Sequence, residues 1–139
     1  MENLGEFIVN HWVLVTLFVV LSSILMSDSI NKKISGMTPI TTAQAVQLVN
    51  QQKGLFLDIR ETTEFKKEHI ADSTSMPLST LTDNLGSLKD KTQPIILVCA
   101  SGQRARSAAK QLSKNEFTQV YVLTGGLNSW RDAKLPLFS

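Results

Sequence analysis

Short apolar segments alternate with helix-like segments along the chain, and this alternation restricts the fold more than any other feature. The segments LFLDI (55–59), PIILVC (94–99) and QVYVL (119–123) each have the length of a strand. Because they lack regular polar alternation, we expect both faces of each strand to be buried, as in parallel sheets covered by helices. The stretch RARSAAKQLSKN (104–115) carries apolar residues at helical spacing. We therefore predict an α/β fold of three layers, with a mostly parallel central sheet and helices on both faces.

Shorter elements complete this pattern. Thr41 or Thr42 is placed to cap a helix, and Gly54 is placed to end it. In chain order, the other predicted elements are that helix over AQAVQLVNQQ (43–52), a short helix over ETTEFKKEH (61–69), a strand over STSM (73–76), helical turns between residues 78 and 88, and a turn at Gly125 and Gly126 that leads into LNSWRDA (127–133).

The stretch 7–27 contains no Asp, Glu, Lys or Arg. Its length is close to the ~20 residues that an α-helix needs to cross the hydrocarbon core of a bilayer. A buried core helix would usually be shorter and show a polar edge. A cleaved signal peptide should begin with basic residues, whereas Glu2 and Glu6 precede this stretch and no A-x-A-like site follows it. We predict one transmembrane helix over 7–27, a linker over 28–37 and a soluble domain over 38–139.

The flanking charges predict the orientation of this helix. Lys32 and Lys33 follow the stretch, and no Lys or Arg precedes it. By the positive-inside rule, the N-terminus lies outside the cell and the soluble domain lies in the cytoplasm. We therefore expect a single-pass protein of the cell membrane.

The overall composition excludes several classes of function. The 139 residues include 14 basic and 12 acidic side chains, a balance without the clustered positive charge that nucleic acid binding needs. The single cysteine cannot form an internal disulfide. With only His11 and His69 beside it, the chain has no metal-ligand spacing. We expect no nucleic acid partner, no metal and no cofactor.

That cysteine, Cys99, lies between a predicted buried strand and the start of a predicted helix. In open α/β sheets, ligands bind beyond the carboxyl ends of strands. The unpaired N–H groups of a helix N-terminus attract anions, Gly102 permits a tight turn, and Arg104 and Arg106 add positive charge. Such surroundings favour the thiolate, which is the nucleophilic form. The alternative is that Cys99 is simply a small buried apolar residue.

The loop CASGQRA resembles the active-site loop of rhodanese-like sulfurtransferases. In that family a strand ends in the catalytic cysteine, and glycine follows at the fourth position of the loop and often arginine at the sixth. Cys99, Gly102 and Arg104 occupy these places. Three further segments resemble the family in the same order, namely LFLDIRETTEFKKEHI (55–70), MPL (76–78) and VYVLTGGLNSW (120–130). The resemblance covers about residues 38–137.

The sequence also departs from the family pattern. Glu68 stands where the family usually has glycine, and ADS (71–73) replaces the usual Pro-Gly-Ala. At the second position of the loop, often arginine, the chain has Ala100. The loss of that positive side chain is expected to weaken binding of a dianionic donor.

The resemblance implies transfer of sulfur. Cys99 would attack the outer sulfur of a donor such as thiosulfate and become a persulfide, and cyanide or a thiol, including a thiol on another protein, would then accept that sulfur. It also implies that the donor is bound by the rest of the loop, namely Ala100, Ser101, Gly102, Gln103 and Arg104. Asp58 and Arg60 are supporting candidates, which we interpret first as a structural ion pair.

Two other functions remain open. Some cysteine phosphatases and arsenate reductases share this fold, but their arginine lies six positions after the cysteine, whereas Arg104 lies five positions after Cys99. The second alternative is a membrane-tethered domain that binds a partner without catalysis. An intact cysteine loop favours the enzyme over that alternative.

Overall fold

The structure is a computed structural model that describes residues 2–139. The chain divides into two compact units, of which the first ends at Ser35 and the second is Gly36–Ser139.

The N-terminal unit consists of two helices, α1 (Glu2–Asn10) and α2 (Trp12–Ser35). The axes of their apolar parts differ by 83°, and no single helix among the described residues is long and apolar enough to cross a membrane, although the bent pair together has that length and composition. The predicted helix over 7–27 is therefore interrupted at His11, and its crossing of a membrane stays a prediction. The bend lies at His11, between the two helices, where the backbone N–H of His11 donates to the carbonyl of Phe7 over 3.0 Å and the ring Nδ1 lies 3.1 Å from the same oxygen.

The predicted linker over 28–37 also differs from the structure, because α2 continues to Ser35. Residues 28–35 contain neither glycine nor proline, so nothing in them stops the helix before Gly36.

Five strands form one sheet in the second unit. They are β1 (Thr38–Ile40), β2 (Leu55–Asp58), β3 (Thr74–Ser75), β4 (Ile95–Val98) and β5 (Val120–Leu123). Their spatial order is β1-β5-β4-β2-β3, and every pairing is parallel. The sequence did not predict β1, which is three residues long and contains Pro39. A proline is tolerated there because β1 is an edge strand.

The helices of this unit connect the strands in the predicted order. They are α3 (Thr42–Gln52), α4 (Thr62–Lys67), α5 (Leu81–Asn84), α6 (Gln103–Lys114) and α7 (Gly126–Asp132), with 3₁₀ turns over Leu78–Thr80 and Leu85–Ser87. Thr41 is the N-cap of α3, where its hydroxyl accepts a hydrogen bond from the backbone N–H of Gln44.

Alternate residues of the central strands feed two apolar clusters. Leu57 and Leu97 pack on one face of the sheet, in the cluster that includes residues of α5 and α6. Phe56 and Ile96 pack on the other face, in the cluster that includes residues of α3 and α7. Helices therefore cover both faces of a parallel sheet, which confirms the predicted three-layer α/β fold and explains the unbroken apolar sequence of β4.

Candidate functional site

Cys99 follows the last residue of β4 directly and begins a tight loop. The backbone N–H of Gly102 donates a hydrogen bond to the Cys99 sulfur over 2.9 Å. Gly102 has φ 99°, in the left-handed region that favours glycine, and the first residue of α6 follows it. The Cys99 side chain is buried, with 1% of the residue exposed, and it belongs to the apolar cluster on the α6 face. The sequence thus places an amide donor on the sulfur at the N-terminus of a helix.

The N-terminus of α7 forms hydrogen bonds with the backbone of this loop. Leu127 N–H donates to the carbonyl of Cys99 over 2.8 Å, and Asn128 N–H donates to the carbonyl of Ala100 over 3.2 Å. Such close approach is possible because Gly126 has no side chain: a Cβ there would lie 2.2 Å from the Cys99 oxygen. From the sequence, Gly125 and Gly126 were predicted only to form a turn. Their adjacency was the available signal, but Cys99, which Gly126 approaches, lies about a fifth of the chain away.

The Arg104 guanidinium is partly exposed and pairs with a carboxylate from α4. Its Nη1 and Nη2 donate to the two oxygens of Glu64 over 3.0 and 3.1 Å. Both side chains are 38% exposed. The hydrogen bonds from Arg104, opposed by partial burial, lower the pKa of Glu64 to about 2. The same pairing is the main cause that raises the pKa of Arg104, and the charge of Cys99 contributes in the same direction.

Glu64 is the site residue that sequence reasoning missed as a partner of the loop. The family pattern included it, yet nothing in the sequence joins it to Arg104, which lies 40 positions further on. Glu64 is itself held in place, because the backbone N–H of Glu61 donates to its Oε2 over 3.0 Å at the start of α4.

Of the remaining loop residues, 100–102 lie between Cys99 and α6, and Gln103 is the first residue of α6. Ala100 is half-buried, Gly102 is buried, and Ser101 and Gln103 are exposed. Arg106 is exposed in the next part of α6, where it lines a cavity of about 170 Å³ together with Ser101 and Gly102.

Asp58 and Arg60 form a buried ion pair, with 1% and 4% exposure. The guanidinium donates to both carboxylate oxygens, including Nη2 to Oδ2 over 2.7 Å, and also to the backbone carbonyl of Glu68 over 2.7 Å. Asp58 is paired in register with Val98, the residue before Cys99. The contacts of Asp58 and Arg60 are with each other and with backbone, which is the geometry of a structural pair that fixes the end of β2 beside the loop.

Similarity to known proteins agrees with this arrangement. A protein of Escherichia coli (strain K12) named "Uncharacterized protein YibN" is 31% identical over 139 residues, covering 99% of this chain and 97% of that protein. "Thiosulfate sulfurtransferase GlpE" of Coxiella burnetii is 28% identical over 92 residues, covering 66% of this chain and 85% of that protein. The crystal structure of a rhodanese-related protein from Thermoplasma volcanium superposes with a TM-score of 0.63 at 27% identity, covering 73% of this chain and 97% of that one.

The fold, the strand–cysteine–glycine–helix junction and these similarities are consistent with one another. The family model described as "Rhodanese-like domain" matches residues 41–133, which is most of the second unit. This chain is therefore a member of the rhodanese-like family.

Proposed function

We propose that the chain is a sulfurtransferase that moves a sulfane sulfur from a donor such as thiosulfate to a thiophilic acceptor through a persulfide on Cys99. The observation that carries this proposal is the Gly102 N–H, which donates to the Cys99 sulfur over 2.9 Å at the N-terminus of α6. An amide and a helix dipole directed at one sulfur atom stabilise negative charge on it. A thiolate is the form that attacks a sulfane sulfur.

The first step transfers the outer sulfur of the donor to Cys99. The thiolate attacks that sulfur, an S–S bond forms to Cys99, and the S–S bond within thiosulfate breaks. The electron pair of the broken bond leaves with sulfite, so that no outside oxidant or reductant is needed. In the second step cyanide or a thiol attacks the terminal sulfur of the persulfide, and the Cys99 thiolate is released.

We assign the loop residues to binding in this reaction. The persulfide adds one anionic sulfur beyond Cys99, and the backbone of Ala100, Ser101, Gly102 and Gln103 forms the cradle in which we place it. Arg104 is the basic side chain of the loop and is assigned to the anionic part of the donor. Since Cys99 is 1% exposed, the proposal favours small donors over bulky ones.

The test is a thiocyanate assay on the detergent-solubilised full chain with thiosulfate and cyanide. We expect turnover by the wild type and none by Cys99→Ser, whose unfolding midpoint in urea serves as the control for folding. Absence of turnover in the wild type, or turnover that survives in a folded Cys99→Ser variant, would contradict the proposal.

We further propose that α1 and α2 tether the domain to the cell membrane, with the domain on the cytoplasmic side. Large apolar side chains of these helices are exposed, for example Phe18 at 72% and Leu25 at 73%. An exposed apolar surface of this extent is typical of contact with lipid or another protein. Protease added to intact cells should leave the domain whole, whereas protease added to opened cells should digest it. Digestion in intact cells would refute the orientation.

A further inference from the structure

The charge around the Cys99 loop is smaller than its sequence suggests. Between Cys99 and Ala105 the only basic side chain is Arg104, since Ala100 occupies the second position of the loop. Both terminal nitrogens of Arg104 are engaged by the two oxygens of Glu64. A donor that needs this guanidinium as a fork for two oxygens must compete with a carboxylate already bound in that geometry.

The Glu64 carboxylate is fixed in the position where it competes with a donor for the Arg104 guanidinium. This carboxylate is held by Arg104 on one side and by the backbone N–H of Glu61 on the other. Because these hydrogen bonds lower the pKa of Glu64 to about 2, the carboxylate is charged at every working pH. The net formal charge of the Glu64–Arg104 pair is therefore zero, and the carboxylate already occupies both terminal nitrogens of the guanidinium.

The other charged groups near the loop do not restore a strong positive field. Arg60 is neutralised by the buried carboxylate of Asp58. Arg106 is exposed beside Ser101 and Gly102, and it has no ion-pair partner among the described side chains. Among these five side chains, two acidic and three basic, the net charge is one positive unit before the negative charge of the Cys99 thiolate is counted. That balance complements one negative charge on a donor better than two.

We infer that the preferred donor carries a single negative charge at its sulfane sulfur group, as an alkyl persulfide or a thiosulfonate does, and that Glu64 is the residue that disfavours a dianion such as thiosulfate. This inference rests on the proposed function and refines its substrate class. Thiosulfate remains a donor under this inference. It should react more slowly here than at a site whose arginine is not paired with a carboxylate.

Methanethiosulfonate is a matched probe for this inference. It has the same reactive outer sulfur and a similar tetrahedral group as thiosulfate, with a methyl group in place of one charged oxygen. The Cys99 thiolate attacks the outer sulfur, the bond from that sulfur to the sulfonyl sulfur breaks, and methanesulfinate leaves with the electron pair. The product on the enzyme is the same Cys99 persulfide.

The experiment measures the rate constant for persulfide formation with each donor, using the full chain and intact-mass detection. The readout is the ratio of the thiosulfate rate constant to the methanethiosulfonate rate constant, because intrinsic reactivity cancels when variants are compared. Glu64→Gln should raise this ratio about tenfold, because it removes the negative charge that pairs with Arg104 and that repels the second charge of thiosulfate. Glu68→Gln is the control, since Glu68 is a partly exposed carboxylate of the same segment paired with Arg131. It should change the ratio by less than about twofold.

The outcomes separate the inference from the function beneath it. An unchanged ratio in Glu64→Gln overturns the inference. An equal fall of both rate constants also overturns it, because that result would mean that Glu64 only supports Arg104. Formation of no persulfide from either donor overturns the proposed function itself. If Glu64→Gln fails to fold, Ala100→Arg replaces it, since an added positive charge in the loop should raise the same ratio, and an unchanged ratio there counts against the inference.

Discussion

Replacement of Gly126 by alanine should disrupt the candidate site without touching any of its side chains. The added Cβ would lie 2.2 Å from the Cys99 oxygen and 2.8 Å from the carbonyl carbon and oxygen of Ala100. These are backbone atoms, so the first turn of α7 must move away from the loop. That movement breaks the hydrogen bonds from Leu127 and Asn128 to the two carbonyls.

The structure gives an approximate size for this effect. Gly126 has φ 56°, where a residue with a Cβ costs about 1–2 kcal/mol. Each lost backbone hydrogen bond contributes about 0.5–1.5 kcal/mol. The free energy of unfolding of Gly126→Ala should therefore fall by roughly 2–5 kcal/mol, and the rate of persulfide formation should fall because the loop loses its support.

The assay is urea unfolding followed by the fluorescence of Trp130, which is buried in α7, in a Trp12→Phe background. Gly86→Ala is the matched control, because a Cβ at Gly86 meets nothing within 4 Å and its φ is not positive. That variant should be neutral or up to about 1 kcal/mol more stable. If the free energy of unfolding of Gly126→Ala lies within about 0.5 kcal/mol of the wild-type value, and the variant forms persulfide at the same rate, the proposed role of α7 is wrong.

Two further predictions concern the ion pairs. Asp58→Asn leaves the Arg60 charge buried without its partner, and it should reduce the free energy of unfolding by about 3–5 kcal/mol in urea; a loss below about 1 kcal/mol would contradict the structural role. Glu64→Gln should be less stable than the wild type by less than about 1 kcal/mol at pH 7, since the pair with Arg104 is partly exposed. Because folding lowers the pKa of Glu64 from 4.5 to about 2, this difference should be fully present above pH 4.5 and decline as the pH falls through about 2. If the melting temperatures of Glu64→Gln and the wild type differ by the same amount from pH 7 down to about pH 2, the pairing of Glu64 with Arg104 is not the cause of the lowered pKa.

The sequence was sufficient wherever local pattern determines the structure. The apolar run of β4, the glycine at Gly102 and the spacing of α6 are all local signals, and together they predicted the junction at Cys99. The parallel sheet followed from the same reasoning, because strands without polar residues must be covered on both faces. The prediction that Asp58 and Arg60 pair with each other also used residues only two positions apart.

The features that sequence reasoning missed depend on contacts between distant parts of the chain or on a local change of backbone direction. The pairing of Glu64 with Arg104 joins side chains 40 positions apart. Strand β1 is three residues long, and its place at the sheet edge, which Pro39 allows, is visible only once β5 is beside it. The bend at His11 lies inside a stretch without Asp, Glu, Lys or Arg, where a hydropathy window detects no break.

The mass of the peptide that contains Cys99, after the protein has been exposed to a sulfane sulfur donor, tests the proposed chemistry most directly. We predict a gain of about 32 Da on Cys99, the mass of one sulfur atom, and its loss when cyanide is added. A folded wild-type protein whose Cys99 gains no mass with either thiosulfate or methanethiosulfonate would contradict it.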